Sequence, residues 1–128
     1  YSRVPDREWR GRAERAIERV GLSHRTHHRS AQLSGGEKQR VAIARALIME
    51  PKIIFADEPT GNLDSKSGRA VMEILQRLNE EMGHTIILIT HETYTAEHAA
   101  RILHILDGTV DSDRRVERRH EARAGFVK

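Results

Sequence analysis

The chain has 128 residues, 38% of them hydrophobic, with no cysteine and with 22 Lys and Arg against 19 Asp and Glu, a formal net charge of +3. That length makes one domain around a single core with little apolar material to spare, and the lack of cysteine excludes disulfides and thiolate metal sites. The longest purely apolar runs, residues 86–89 and 47–49, are far too short to span a bilayer, so any membrane role would be borrowed from a partner.

Arginines are dense in residues 3–19 and 114–123, yet Asp6, Glu8, Glu14, Glu18, Asp113, Glu117 and Glu121 interleave with them. Mixed charge of this kind reads as a solvated helix face. A one-sign stripe with stacking aromatics is lacking, so no nucleic-acid partner is expected. The chain opens at Tyr1 in charged residues and is expected to be a piece of a longer protein, for which a signal peptide can be neither inferred nor excluded.

Pro5, taken as a first helical residue, is followed by Trp9, Ala13, Ala16, Ile17 and Val20 at helical spacing and then by Gly21, which predicts an amphipathic helix with its stop. Residues 22–32 hold three histidines and no period and read as a loop. A second helix is predicted from Ser34 through Val41, Ala44, Leu47 and Ile48 to a break at Pro51. Residues 52–57 are almost continuously apolar, the pattern of a strand buried on both faces of a parallel sheet.

After a loop over residues 58–63, Asp64 is a plausible N-cap for a helix that places Val71, Ile74, Leu75, Leu78 and Met82 on one face and stops at Gly83. Residues 85–90 are a second strand, 92–100 a short helix and 101–106 a third strand, with Asp107–Gly108 as a tight turn into Thr109–Val110. Residues 111–128 are polar and unpatterned and are expected to fray. Alternating strands and helices predict an α/β fold with a parallel sheet, preceded by two helices as a separate lobe.

Three segments carry chemistry. In LSGGEKQR (residues 33–40), Ser34 can cap a helix while Gly35 and Gly36 leave its N–H groups open to an anion, although an ordinary helix start could also read Ser-Gly-Gly. In KIIFADEPTGNLD (52–64), Asp57 and Glu58 stand where a buried strand ends, the edge at which ligands bind in open α/β sheets. An Asp there suits Mg²⁺, and a Glu can polarise an attacking water. In ILITH (87–91), His91 reaches the same edge. The other histidines (His24, His27, His28, His84, His98, His104 and His120) read as surface or loop residues. His24 and His28 have metal-ligand spacing but lie in the aperiodic stretch, and are set aside.

Order and spacing of these segments, over about residues 12–110, resemble the ATP-binding cassette family, whose signature motif is the first of them and whose Walker B segment and switch histidine are the others. The GNLD form of residues 61–64 is most similar to the ATPase subunits of lipoprotein-release, macrolide-export and cell-division type transporters. No G-x-x-x-x-G-K-[ST] phosphate loop occurs in the 128 residues.

The resemblance implies a partial P-loop NTPase core of RecA-like type without its P-loop strand. Residues 1–50 would be the helical signature lobe, 51–110 the C-terminal part of the ATPase core and 111–128 a polar tail. It implies ATP and Mg²⁺ as cofactors, with Glu58 and His91 catalytic, Asp57 the metal ligand, and Ser34, Gly35, Gly36, Glu37, Asp57 and Asp64 binding the cofactor. The partners would be a second ATPase subunit packed head to tail, whose ATP the signature touches in trans, and a transmembrane permease, which places the chain peripherally on the cytoplasmic face of the membrane.

Without the phosphate loop the isolated chain is expected to be inactive. Residues 101–106 must then pair directly with 85–90, swap with another chain or come loose, and association or a loosened end is favoured. The rival readings are a cassette ATPase of chromosome or repair type, disfavoured by residues 39–47 and the GNLD loop, and a non-catalytic module docking a partner through Trp9 and the arginines.

Overall fold

The computed structural model describes residues 5–125; residues 1–4 and 126–128, the outer ends of the expected helical lobe and polar tail, lie outside the described residues. Helix α1 (Asp6–Arg19) begins one residue later than expected, with Pro5 just outside it in an extended conformation. It buries Ala16, and Val20 is buried just past its end, while Trp9 stays 37% exposed at its margin. Gly21, at φ +69°, turns the chain back, and Leu22 enters the core. The expected loop 22–32 is condensed into two 3₁₀ turns, Ser23–Arg25 and Ser30–Gln32, each too short to leave a period in the sequence.

Helix α2 (Gly35–Leu47) buries Ile43, Ala44 and Leu47. Strand β1 (Ile53–Asp57) then pairs in parallel with β2 (Thr85–Ile89), Ile53 opposite Thr85 and Asp57 opposite Ile89. The crossover between them is α3 (Ser65–Glu80), which buries Val71, Met72, Ile74, Leu75 and Leu78. Met82, expected on that face, falls past the helix end and is 36% exposed. The α1 and α2 side chains share one buried cluster with β1 and α3.

The expectation that β1 is buried on both faces fails. Ile54, Ala56, Ile86 and Leu88 face the core, but Ile53, Phe55, Ile87 and Ile89 on the opposite face are exposed, because among the described residues only one face of the sheet is covered. Residues 92–100 are helical only over α4 (Thr93–Ala96).

Strand β3 (Arg101–Leu106) does not join the parallel sheet. It pairs antiparallel with β4 (Thr109–Arg115) through the Asp107–Gly108 turn, whose residues both have positive φ, as tight hairpins require. Arg101 Nε and Nη2 grip the Asp113 carboxylate at 2.8 and 2.5 Å. The third strand has thus left β2, as a loosened end would, but it has found a partner in the tail.

Residues 111–125 are correspondingly ordered where fraying was expected. The Val116 N–H donates to the Ala100 carbonyl and the His120 N–H to that of Glu97. Ala122 is fully buried, its N–H donating to Gln76 Oε1 at 2.9 Å. Backbone pairing and one buried methyl fasten a segment whose side chains are nearly all polar, so its pattern gave no warning.

Candidate functional site

The site is assembled at two chain reversals. At the first, Ser34 Oγ accepts the Glu37 N–H at 3.2 Å and Glu37 Oε2 accepts the Ser34 N–H at 2.8 Å, a reciprocal capping box. Arg25 Nε donates to the other Glu37 oxygen at 2.9 Å. The Ser34 N–H and, next, the Arg25 guanidinium hold the Glu37 carboxyl below its ordinary value. Glu37 is therefore turned inward as a structural cap, and its carboxylate is occupied.

The N–H groups of Gly35 and Gly36 have no partner among the described residues and stand at the positive end of the α2 dipole. A second reason for glycine emerges at Gly36. A Cβ there would lie 2.7 Å from Ser67 Cβ, so the glycine lets the start of α2 press against the start of α3.

Asp64 caps α3, accepting the Ser67 N–H at 2.9 Å and the Ser67 hydroxyl at 2.8 Å. Those two bonds, the backbone one first, lower its carboxyl pKa. The Gly36–Ser67 contact and the 3.5 Å approach to Leu63 Cδ2 that a Cβ on Gly35 would make set the signature segment against the GNLD loop.

At the second reversal, Asp57 and Ile89 end their strands level with each other. The Glu58 N–H adds one further bond to the Ile89 carbonyl at 2.9 Å, and Glu58 then turns at φ +41°. That left-handed conformation costs on the order of 1–3 kcal/mol for a side-chain-bearing residue and is typical of functional turns. It brings the Glu58 carboxylate under the end of β2. Oε1 accepts the His91 N–H at 3.0 Å and lies 2.6 Å from His91 Nδ1, and Oε2 accepts the Thr90 hydroxyl at 3.2 Å.

The contact with His91 is the main cause that lowers the Glu58 pKa and raises that of the imidazole. The His91 side chain is 83% exposed and can reach outward. Asp57 is exposed and has no ion pair or side-chain hydrogen bond among the described residues.

No group of three or more His, Asp and Glu side chains is placed to hold a metal among the described residues. One open carboxylate cannot retain a cation by itself. It does fit Mg²⁺ delivered on a polyphosphate, since that ion keeps several waters and takes one or two carboxylates.

Asp57, Glu58 and His91 thus meet at one sheet edge, while Ser34, Gly35 and Gly36 lie apart from them at the start of α2. Thr90 joins Glu58 and His91 at this edge through its hydroxyl, and its place before the histidine in ILITH is the signal the sequence carries for it. His98, read as a surface residue, is instead 3% exposed, with ring centroids 5.2 Å from Tyr94 and 5.5 Å from His120, and burial lowers its pKa.

Known proteins share this chain's sequence and fold. A family model described as ABC transporter matches residues 2–61. The chain is 55% identical over 113 residues to the macrolide export ATP-binding/permease protein MacB of Azoarcus sp. (strain BH72), covering 88% of this chain and 17% of that protein. It is 59% identical over 101 residues to the ABC transporter ATP-binding protein MJ1508 of Methanocaldococcus jannaschii, covering 79% and 45%.

Among solved structures, the dimeric bacterial ABC transporter cassette MJ0796 superposes with a TM-score of 0.74 at 42% identity, over 91% of this chain and 51% of that one. CbiO1 of Clostridium perfringens, part of the transporter complex cbiONQ, does so with a TM-score of 0.82 at 33% identity, over 91% and 47%. The chain therefore spans less than half the length of these relatives and about half of the solved cassettes. Its fold is that of part of a P-loop NTPase, and the chain belongs to the ATP-binding cassette transporter family, of whose ATPase domain it carries a part.

Proposed function

We propose that the chain forms part of the ATP-hydrolysing subunit of a membrane transporter, contributing the carboxylates of one nucleotide site and the signature of another. The observation that carries this reading is the meeting of Glu58 and His91, 2.6 Å apart, beside the open Asp57 at the carboxyl edge of the parallel pair.

Mg-ATP, when bound, supplies the transferable phosphoryl group and a cation that offsets its charge. Asp57 would hold the cation through its hydration shell, and Glu58, kept ionised by its bonds, would orient and polarise the attacking water. The exposed His91 would turn from Glu58 toward the terminal phosphate. The bare N–H groups of Gly35 and Gly36, with the Ser34 hydroxyl, would face the nucleotide of a second ATPase subunit packed head to tail. The structural occupation of Glu37 and Asp64 gives them an indirect part, fixing the two loops that carry the contacts.

A membrane permease is the partner through which hydrolysis would do work, with this subunit peripheral on the cytoplasmic face. No helix among the described residues is long and apolar enough to cross a membrane. The transporter reading is supported over a chromosome or repair ATPase by the GNLD loop and by the transporter relatives.

The test is Glu58→Gln in the full-length parent. Hydrolysis should be lost while the ATP-bound dimer accumulates; unchanged turnover would exclude the reading. The 128-residue chain alone, which has no phosphate-loop lysine, should bind Mg-ATP weakly and not turn it over, and tight stoichiometric binding in calorimetry would contradict that.

A further inference from the structure

We propose that Thr90 is a positioning residue for Glu58, holding the carboxylate in register after His91 has turned away to the phosphate. This rests on the reading of Glu58 given above. The Thr90 hydroxyl has one hydrogen, and its direction is set by its neighbours. The Glu92 N–H can only donate, and it points at Thr90 Oγ1 from 3.1 Å; it therefore occupies a lone pair. The hydroxyl hydrogen is left to the other neighbour, Glu58 Oε2, at 3.2 Å.

The two carboxylate oxygens are thus held separately. Oε1 has the His91 N–H and ring, while Oε2 has Thr90. The ring is the part of this arrangement that can leave, because the His91 side chain is 83% exposed. Thr90 is half-buried and anchored by a backbone donor.

Once the ring has gone, Oε1 keeps the His91 N–H and Oε2 keeps Thr90. Two points fix the carboxylate plane. Without the hydroxyl, the carboxylate pivots about its single remaining bond, and a base misplaced by about an ångström loses on the order of a hundredfold in rate.

The experiment uses the full-length ATPase subunit with Thr90→Val, Thr90→Ala and Thr90→Ser beside Glu58→Gln. Valine keeps the shape and removes the hydroxyl. It should lower kcat about 10- to 100-fold, leave the calorimetric affinity for ATP within about twofold, and let the ATP-bound dimer accumulate on a sizing column, while serine restores turnover to within a few-fold. Turnover by Thr90→Val equal to wild type overturns the proposal, as does a serine variant as slow as valine. Loss of ATP binding by both valine and alanine variants assigns Thr90 a merely structural role and also overturns it. Glu58→Gln separates the two levels. If it leaves turnover intact, the reading of Glu58 itself has failed; if it stops turnover while Thr90→Val does not, only the assignment of Thr90 has failed.

Discussion

Gly36 and Ser67 meet so closely that a methyl group on Gly36 would lie 2.7 Å from Ser67 Cβ and 2.8 Å from its hydroxyl oxygen. Ser67 Cβ belongs to a helix start held by Asp64 and cannot swing aside as the tip of a long side chain could. Gly36→Ala should therefore destabilise the chain by about 1–3 kcal/mol in urea unfolding, even though alanine is the better helix former by about 1 kcal/mol. Ser67→Gly should cost less in the Gly36→Ala background than in the wild type, because the two changes share one contact. Additive effects would refute the clash.

Gln76 fastens the C-terminal segment to α3. Its Nε2 donates to the carbonyls of His98 at 3.3 Å and His120 at 2.6 Å, and its Oε1 accepts from Ala122. Gln76→Ala removes these three hydrogen bonds and should lower stability by about 1–3 kcal/mol. Hydrogen exchange should accelerate in residues 116–125 while the amides between β1 and β2 stay protected. Uniform loss of protection would show that the tail is not separately fastened.

What the sequence made legible, and what it hid, follows from where the information lies. Ser34 with Glu37 and Asp64 with Ser67 are local capping contacts, so the starts of α2 and α3 could be read directly. The ends of β1 and β2 followed from apolar runs that stop at Asp57 and before His91, which placed Glu58 and His91 at one edge. The Asp107–Gly108 turn showed where β3 reverses into Thr109–Val110, but the extent of its partner was not legible, because β4 reads TVDSDRR, is exposed throughout, and is held by backbone pairing that does not depend on side-chain pattern. The bare outer face of β1 escaped for the opposite reason: Ile53 and Phe55 read as buried, and whether a second layer covers them is not encoded in the strand itself.

Glu37 makes a prediction about acid. Its carboxyl is held below the ordinary value of 4.5, first by the Ser34 N–H. A carboxyl depressed by folding adds stability that is complete above its unfolded value and is lost as pH falls through the lower folded one. Glu37→Gln can still accept the Ser34 N–H but lacks the charge that faces Arg25. It should be less stable than wild type at about pH 7, equally so at about pH 5.5, and the gap should close toward about pH 3. A gap that stays constant over that range would mean the charge contributes nothing.

Phe55 and Ile87 are register neighbours on the outer face of the parallel pair, 69% and 39% exposed, and Ile53 and Ile89 beside them are 50% and 48% exposed. A contiguous apolar patch next to unpaired strand edges is unfavourable in water and favours association. The solved cassettes have about as much chain again, which could cover such a face; the 128-residue chain by itself can cover it by pairing with another copy. Sedimentation of this chain should show reversible self-association between low and high micromolar concentration. Phe55→Lys and Ile87→Lys should abolish it with little loss of stability, because neither side chain belongs to the buried cluster. A chain that stays monomeric throughout, or lysine variants that unfold, would mean that the face is covered in solution by a rearrangement of the hairpin β3–β4.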